Sequence, residues 1–183
     1  MSEPDNTLIL PIVKYGSSLL RKKVSPVIDF TTLAPLIEKM FHSMNNENGI
    51  GLAANQLGWS LDIMIVDTLD CENEEDPGTY VFINSTIIDT DGICAMEEGC
   101  LSIPNIRAEI KRPEKIILKY QDLEENYHEK SFSGITSRVI QHEMDHLNGK
   151  LFIDYLPQSK RMFIKKRLME ISKARKTSDA IIL

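Results

Sequence analysis

Apolar residues recur at helical spacing through Leu33, Leu36, Ile37, Met40, Phe41 and Met44, which predicts an amphipathic helix over residues 32–46. Thr31 or Thr32 can cap its start, and Pro35 falls in the first turn, where a missing N–H does little harm. Asn45 to Gly51 then breaks the period with short polar residues and glycines. Leu61–Val66, Tyr80–Ile88 and Lys115–Tyr120 are rich in β-branched and aromatic side chains and read as strands. The acidic stretch Asp70–Gly78 ends in Pro77-Gly78 and reads as a loop, a local elaboration with no assigned role. The helical period returns from Ile135 to Leu147, with Gly149 placed to stop it. A last helical stretch, Gln158–Lys176, carries an apolar line at Ile164, Leu168 and Ile171. Strands first and helices at the ends point to an α+β domain, not an alternating βαβ one.

Composition narrows the class. The 183 residues suit one domain, taken as 1–183, with a sizeable core. No apolar run approaches the roughly 18 residues of a membrane-spanning helix. Met1–Thr7 carries Glu3 and Asp5 and no basic residue, and the apolar run Leu8–Val13 is too short for a signal peptide. Three cysteines at irregular spacing make no disulfide framework, so a soluble cytoplasmic protein with reduced thiols is expected. The net charge of −6 hides an asymmetry. Residues 1–157 hold 13 Lys and Arg against 25 Asp and Glu, a net of −12, whereas residues 158–183 hold 8 against 2, a net of +6.

The most informative stretch is His142-Glu143-Met144-Asp145-His146, which holds two of the chain's four histidines. Histidines four apart on a helix share one face, so both imidazoles reach a single ion, and Glu143 reaches the water on that ion. A catalytic site needs a third protein ligand and an open position. The protease continuation H-x-x-G-x-x-H fits at Gly149 but ends at Phe152, which cannot bind metal. The downstream candidate is Glu170, on the basic helix. Upstream, Glu97 to Ser102 offers Cys100 in a turn-like setting, although a single Cys is usually a small apolar filler, the reading that suits Cys71 and Cys94. A third stretch, Gly49 to Gln56, has two glycines around one apolar residue, which permits close approach of another chain or a ligand. It lacks the features of a phosphate loop or a dinucleotide fingerprint, and taken alone it reads as a tight turn with small residues packed behind it and not as a site.

Together and in order, Gly49–Gln56, Glu98–Ser102 and His142–His146 resemble the G-x-G-x-A-A-x-Q, E-G-C-L-S and H-E-x-D-H motifs of the peptide deformylases. The resemblance runs from Leu10–Leu20 to the C-terminal helix. It implies mixed or antiparallel β-sheets around a central metal-binding helix, flanked by an N-terminal-half helix and a C-terminal helix. It also implies hydrolysis of the formyl group on the N-terminal methionine of newly made proteins. By the same resemblance Cys100, His142 and His146 hold the metal, with water in the fourth position. Glu143 is then the general base. The Gln56 side-chain amide and the Leu101 backbone N–H become the oxyanion donors. An extended substrate would meet the main chain of Ile50 and Gly51, with its methionine side chain near Val139. Arg107 fits a family position and is expected to pair with Glu98; a solvated surface arginine is the plainer reading. Arg138 stands where an apolar pocket residue is expected, and is assigned to the pocket rim.

The family uses Fe²⁺ in the cell, with Zn²⁺, Ni²⁺ or Co²⁺ found in prepared samples, and the sequence does not choose among them. The competing readings are a metalloprotease cutting internal peptide bonds and a structural-metal protein without activity. The partners expected are N-formylmethionyl nascent peptides, with no membrane and no DNA. The basic tail (Lys160, Arg161, Lys165, Lys166, Arg167, Lys173, Arg175, Lys176) is either a solvated helix face or a surface for ribosomal RNA near the nascent-chain exit.

Overall fold

The computed structural model describes residues 8–181 apart from 73, 75 and 76, with side chains described through residue 174. Met1–Thr7 and the side chains of Arg175 and Lys176 therefore lie outside the described residues. The helices are α1 (Leu33–Asn46), α2 (Gly134–Leu147) and α3 (Gln158–Ile181). The strands are β1 (Gly51–Ala53), β2 (Ile63–Asp67), β3 (Thr79–Asp91), β4 (Cys94–Cys100), β5 (Ile103–Arg112), β6 (Lys115–Gln121) and β7 (Tyr127–Phe132). Five strands form an antiparallel sheet in the order β1-β2-β3-β6-β7, and β4 and β5 form a separate hairpin. The fold is α+β, as the residue pattern predicts.

The sheet is covered on both faces because β2 is apolar at consecutive positions. Ile63 and Ile65 join Leu52 and Ile83 against Met40 and Met44 of α1. Met64 and Val66 join Phe82 and Phe132 against Val139, Ile140 and Leu147 of α2. Strand side chains alternate between faces, so this run sends alternate residues into two cores. Each such side chain contributes about 1.5–3 kcal/mol when buried, and a one-residue slip would exchange the two sets. The result fixes α2 across one face of the sheet.

A third apolar cluster joins Leu168 and Ile171 of α3 to Ile103, Ile106 and Ile110 of β5 and to Leu151–Leu156, with Ile164 packed against it. The helix carrying the basic tail is therefore part of the core. Gly149, at φ +72°, ends α2 as expected; a Cβ there would stand 2.6 Å from the Arg21 carbonyl oxygen. Thr32 occupies the N-cap of α1 but makes no side-chain cap bond. The start of α2 is held differently. Ser133 makes no side-chain cap bond, and the Ile135 N–H donates to Glu74 Oε2 at 2.8 Å. The acidic loop thus reaches the end of the helix where N–H groups and the dipole favour a carboxylate.

Strands β4, β5 and β7 depart from the expected pattern. β7 is an edge strand in which only Phe132 is fully buried, so it shows no apolar alternation. β5 alternates from Ile106 through Ala108 and Ile110 to a buried Arg112, and Asn105 at φ +62° interrupts the pleat after Ile103. β4 is mostly small and acidic, and Cys100 ends it where the chain enters the Leu101-Ser102 turn, the setting that its neighbours suggest.

Candidate metal centre

Two elements bring the ligand candidates together. Cys100 ends β4, opposite Ile103, and the β4–β5 register shifts between Gly99 and Cys100. Such an irregularity re-aims a side chain. His142 and His146 stand one turn apart on α2, their ring centroids 5.1 Å apart. The sulfur of Cys100 and one nitrogen from each ring all lie within 4.8 Å of one another, and Cys100 Sγ is 3.2 Å from His146 Nε2. One thiolate and two imidazoles suit Zn²⁺ or Fe²⁺. The electrostatics fit a cation as well. Burial favours neutral rings, yet Cys100 and Glu98 hold His142 well above the ordinary histidine range, while burial and the charge on His142 hold His146 well below it. Cys100 and Glu98, the groups that raise His142, would equally favour a cation at this point.

Glu98 is the hub behind His142. His142 Nδ1–H donates to Glu98 Oε2 at 2.9 Å, which leaves Nε2 for the centre. Arg112 binds both Glu98 oxygens, through Nε at 2.7 Å and Nη2 at 3.0 Å. Its Nη1 donates to Asp145 Oδ2 at 2.6 Å, and Tyr155 Oη donates to Asp145 Oδ1 at 3.0 Å. Burial alone would raise the Glu98 pKa, but hydrogen bonds from His142 and Arg112 outweigh it and hold the group at about 2. Sequence reasoning misses Arg112 and Asp145. In sequence Arg112 looks like its neighbour Lys111, and only the fold shows it buried.

Two expectations are corrected here. Arg107 does not pair with Glu98; it is exposed, with Nη1 3.6 Å from Glu97 Oε2. The register explains this: Arg107 lies opposite Gly99, on the face shared with Glu97, and Glu98 points to the other face. Arg138 borders the cleft, but its guanidinium is buried and turned inward. It donates to Glu98 Oε1 and the Ile110 carbonyl, each at 3.0 Å, and to the Cys94 carbonyl at 2.7 Å. It ties α2 to the β4–β5 hairpin.

Glu143 is buried beside the ligands. Burial, reinforced by Glu98, pushes its pKa up to about 7 against the pull of His142. Its Oε2 is buried with no hydrogen-bond partner among the described residues. The Gln56 side chain is oriented by its own loop. Its Oε1 accepts from the Ala53 N–H at 2.8 Å, so its NH₂ points to Ser102 Oγ at 3.2 Å and Cys100 Sγ at 3.8 Å. A cleft of about 830 Å³ gathers these groups. It is lined by Gln56, Cys100, Leu101, His142 and Glu143, with Ile50, Gly51, Val139 and Arg107 also on its walls. His146 lies behind, fully covered. Gly51 is required by this packing: a Cβ there would stand 2.7 Å from Glu143 Oε1 and collide with Val139 Cγ1.

Comparison with known proteins gives one answer. A sequence profile of the family described as polypeptide deformylase matches residues 9–162. The peptide deformylase of Prosthecochloris aestuarii is 44% identical over 169 residues, covering 90% of this chain and 89% of that protein. That of Chlorobium luteolum is 41% identical over 167 residues, covering 90% and 87%. Among solved structures, a peptide deformylase from Legionella pneumophila superposes with a TM-score of 0.82 at 35% identity, covering 92% of this chain and 98% of that one. The peptide deformylase from Thermus thermophilus gives 0.84 at 34% identity, covering 91% and 99%.

Proposed function

The chain belongs to the polypeptide deformylase family and removes the formyl group from the N-terminus of nascent peptides; from that premise we propose that Cys100, His142 and His146 hold one divalent metal ion and that Glu143 moves the protons. The observation that carries this reading is the meeting of those three ligand atoms in one cleft with a buried Glu143 whose Oε2 has no hydrogen-bond partner among the described residues. Residues 1–183 act as one catalytic domain, a reading supported by β2 serving both the core under α1 and the core under α2.

A divalent cation bound there acidifies water and polarises the formyl carbonyl. Glu143 takes the proton of the water that adds to the formyl carbon, then returns it to the amine as the C–N bond breaks and formate leaves. A carboxyl pushed to about 7 is matched to that exchange near neutral pH. The oxyanion of the tetrahedral intermediate accepts from Gln56 Nε2–H and the Leu101 N–H. The extended peptide pairs with the main chain of Ile50 and Gly51, with the methionine side chain against Val139 and later residues near the exposed Arg107. A structural metal site would fill four positions with protein ligands and leave Glu143 without a task. Fe²⁺ is the ion assigned for the cell; Zn²⁺, Ni²⁺ and Co²⁺ suit the same donors. The test is formate release from a formyl-Met-Ala peptide by protein purified without oxygen, with its metal measured. One metal per chain and metal-dependent release are expected. No release with any of the four ions would overturn the reading.

No helix among the described residues is long and apolar enough to cross a membrane. The reaction is assigned to the cytoplasm, where nascent chains emerge. We further propose that α3 docks on ribosomal RNA through Lys160, Lys165 and Lys166. These side chains are exposed while Leu168 and Ile171 anchor the helix. Changing all three lysines to Gln should weaken ribosome binding and flatten its salt dependence by about two to three phosphate contacts' worth of slope. Unchanged affinity and slope would refute the docking.

A further inference from the structure

The two oxyanion donors assigned above sit on separate loops, Gln56 in the 3-10 turn Ala54–Leu57 and Leu101 in the β4–β5 turn. The segment 13–15 touches both. The Val13 N–H donates to the Gln56 carbonyl at 2.7 Å, and the Tyr15 N–H to the Ser102 carbonyl at 2.8 Å. Between them, Lys14 Nζ donates to the Leu101 carbonyl at 3.0 Å and lies 3.8 Å from Glu47 Oε2. Glu47 is the C-cap of α1, where the chain turns into the Gly49–Gly51 wall of the cleft. Gly49 packs against the same turn, since a Cβ there would stand 2.7 Å from Leu101 Cδ1.

We propose that Lys14 is a positioning residue for deformylation: its ammonium fixes the Leu101 turn against the end of α1 and so sets the direction of the Leu101 N–H. The proposal rests on the reading of Leu101 as an oxyanion donor. The N–H and C=O of Leu101 flank one Cα, so pinning the carbonyl removes rotational freedom from the amide. A charged donor makes that bond stronger than a neutral one. Oxyanion donors act through preorganisation, so looseness at this turn is felt in the transition state more than in substrate binding. Lys14 reaches the turn from a segment 87 residues away in sequence, outside all three motifs.

Lys14→Met keeps the aliphatic stem and removes the ammonium. With a formyl-Met-Ala peptide, kcat should fall about tenfold while KM stays within about twofold, with metal content and melting temperature unchanged. Lys14→Arg, which restores a cationic donor, should recover most of kcat. An unchanged kcat in Lys14→Met overturns the proposal. A kcat loss that tracks loss of metal or of fold, or that Lys14→Arg does not repair, overturns it as well. Failure of the underlying reading is seen separately, either as no formate release by the unaltered protein or as normal turnover in Leu101→Pro, which lacks the N–H.

Discussion

Glu143→Gln should retain one metal per chain and lose about 10³-fold or more in turnover, because the amide keeps the shape of the carboxylate but cannot accept or return a proton. Turnover and metal content measured on the same preparation test this; activity within tenfold of the unaltered protein would sink the proposed role. The same substitution should stabilise the metal-free protein at neutral and higher pH. Burial raises the Glu143 pKa from 4.5 to about 7. The unfolded chain therefore loses this proton first, and folding stability falls as pH rises from about 4.5 to about 7, staying low above that. The loss is on the order of 3 kcal/mol. The amide that replaces the carboxyl carries no such cost, so in urea unfolding the stability advantage of the metal-free variant over the unaltered metal-free protein should grow across this window, the histidines being common to both. An advantage that stays constant from pH 5 to pH 8 would contradict the placement of this carboxylate.

The second large effect belongs to Arg112. Arg112→Met would leave the buried Glu98 carboxylate with Arg138 as its remaining guanidinium and the partly buried Asp145 with none, a loss of about 3 kcal/mol, the low end for broken buried ion pairs. For a chain of this size that lowers the melting temperature by roughly 10 °C. Because Glu98 orients His142, metal affinity should fall about 10–100-fold as well. The acid limb should move too. Glu98 is held at about 2 in the folded protein against 4.5 unfolded. Its stabilisation is therefore complete above the unfolded value and fades as pH drops from about 4.5 towards 2. Without Arg112 the folded pKa rises and acid unfolding begins at higher pH. A melting temperature within about 2 °C of the unaltered protein would refute this account of the network.

The chemistry of the site is legible where it is written in contiguous residues. His142 and His146 are one helical turn apart whatever surrounds them, and Gly149 stops the helix where expected. Cys100 is a weaker signal: only its company with the other two motifs raises it above a filler, and the fold brings it within reach of both rings. What stays hidden is long-range pairing. Glu98 meets Arg112, Arg138 and His142 across separations of 14 to 44 residues, and nothing in local pattern marks which arginine turns inward. Sequence reasoning pairs Arg107 with the wrong glutamate because strand parity, not sequence distance, decides whether Glu97 or Glu98 faces it. The hairpin escapes notice for a related reason. Its covered positions alternate, but Glu98, Cys100, Ala108 and Arg112 fill several of them, so it lacks the apolar runs that mark β2 and β3.

Arg112 and Arg138 join the hairpin that carries Cys100 to the helix that carries both histidines, using protein groups alone. The seam is therefore held at points outside the three ligand atoms, and it is this seam, running from the Cys94 carbonyl to Asp145, that sets how far the sulfur stands from the two rings.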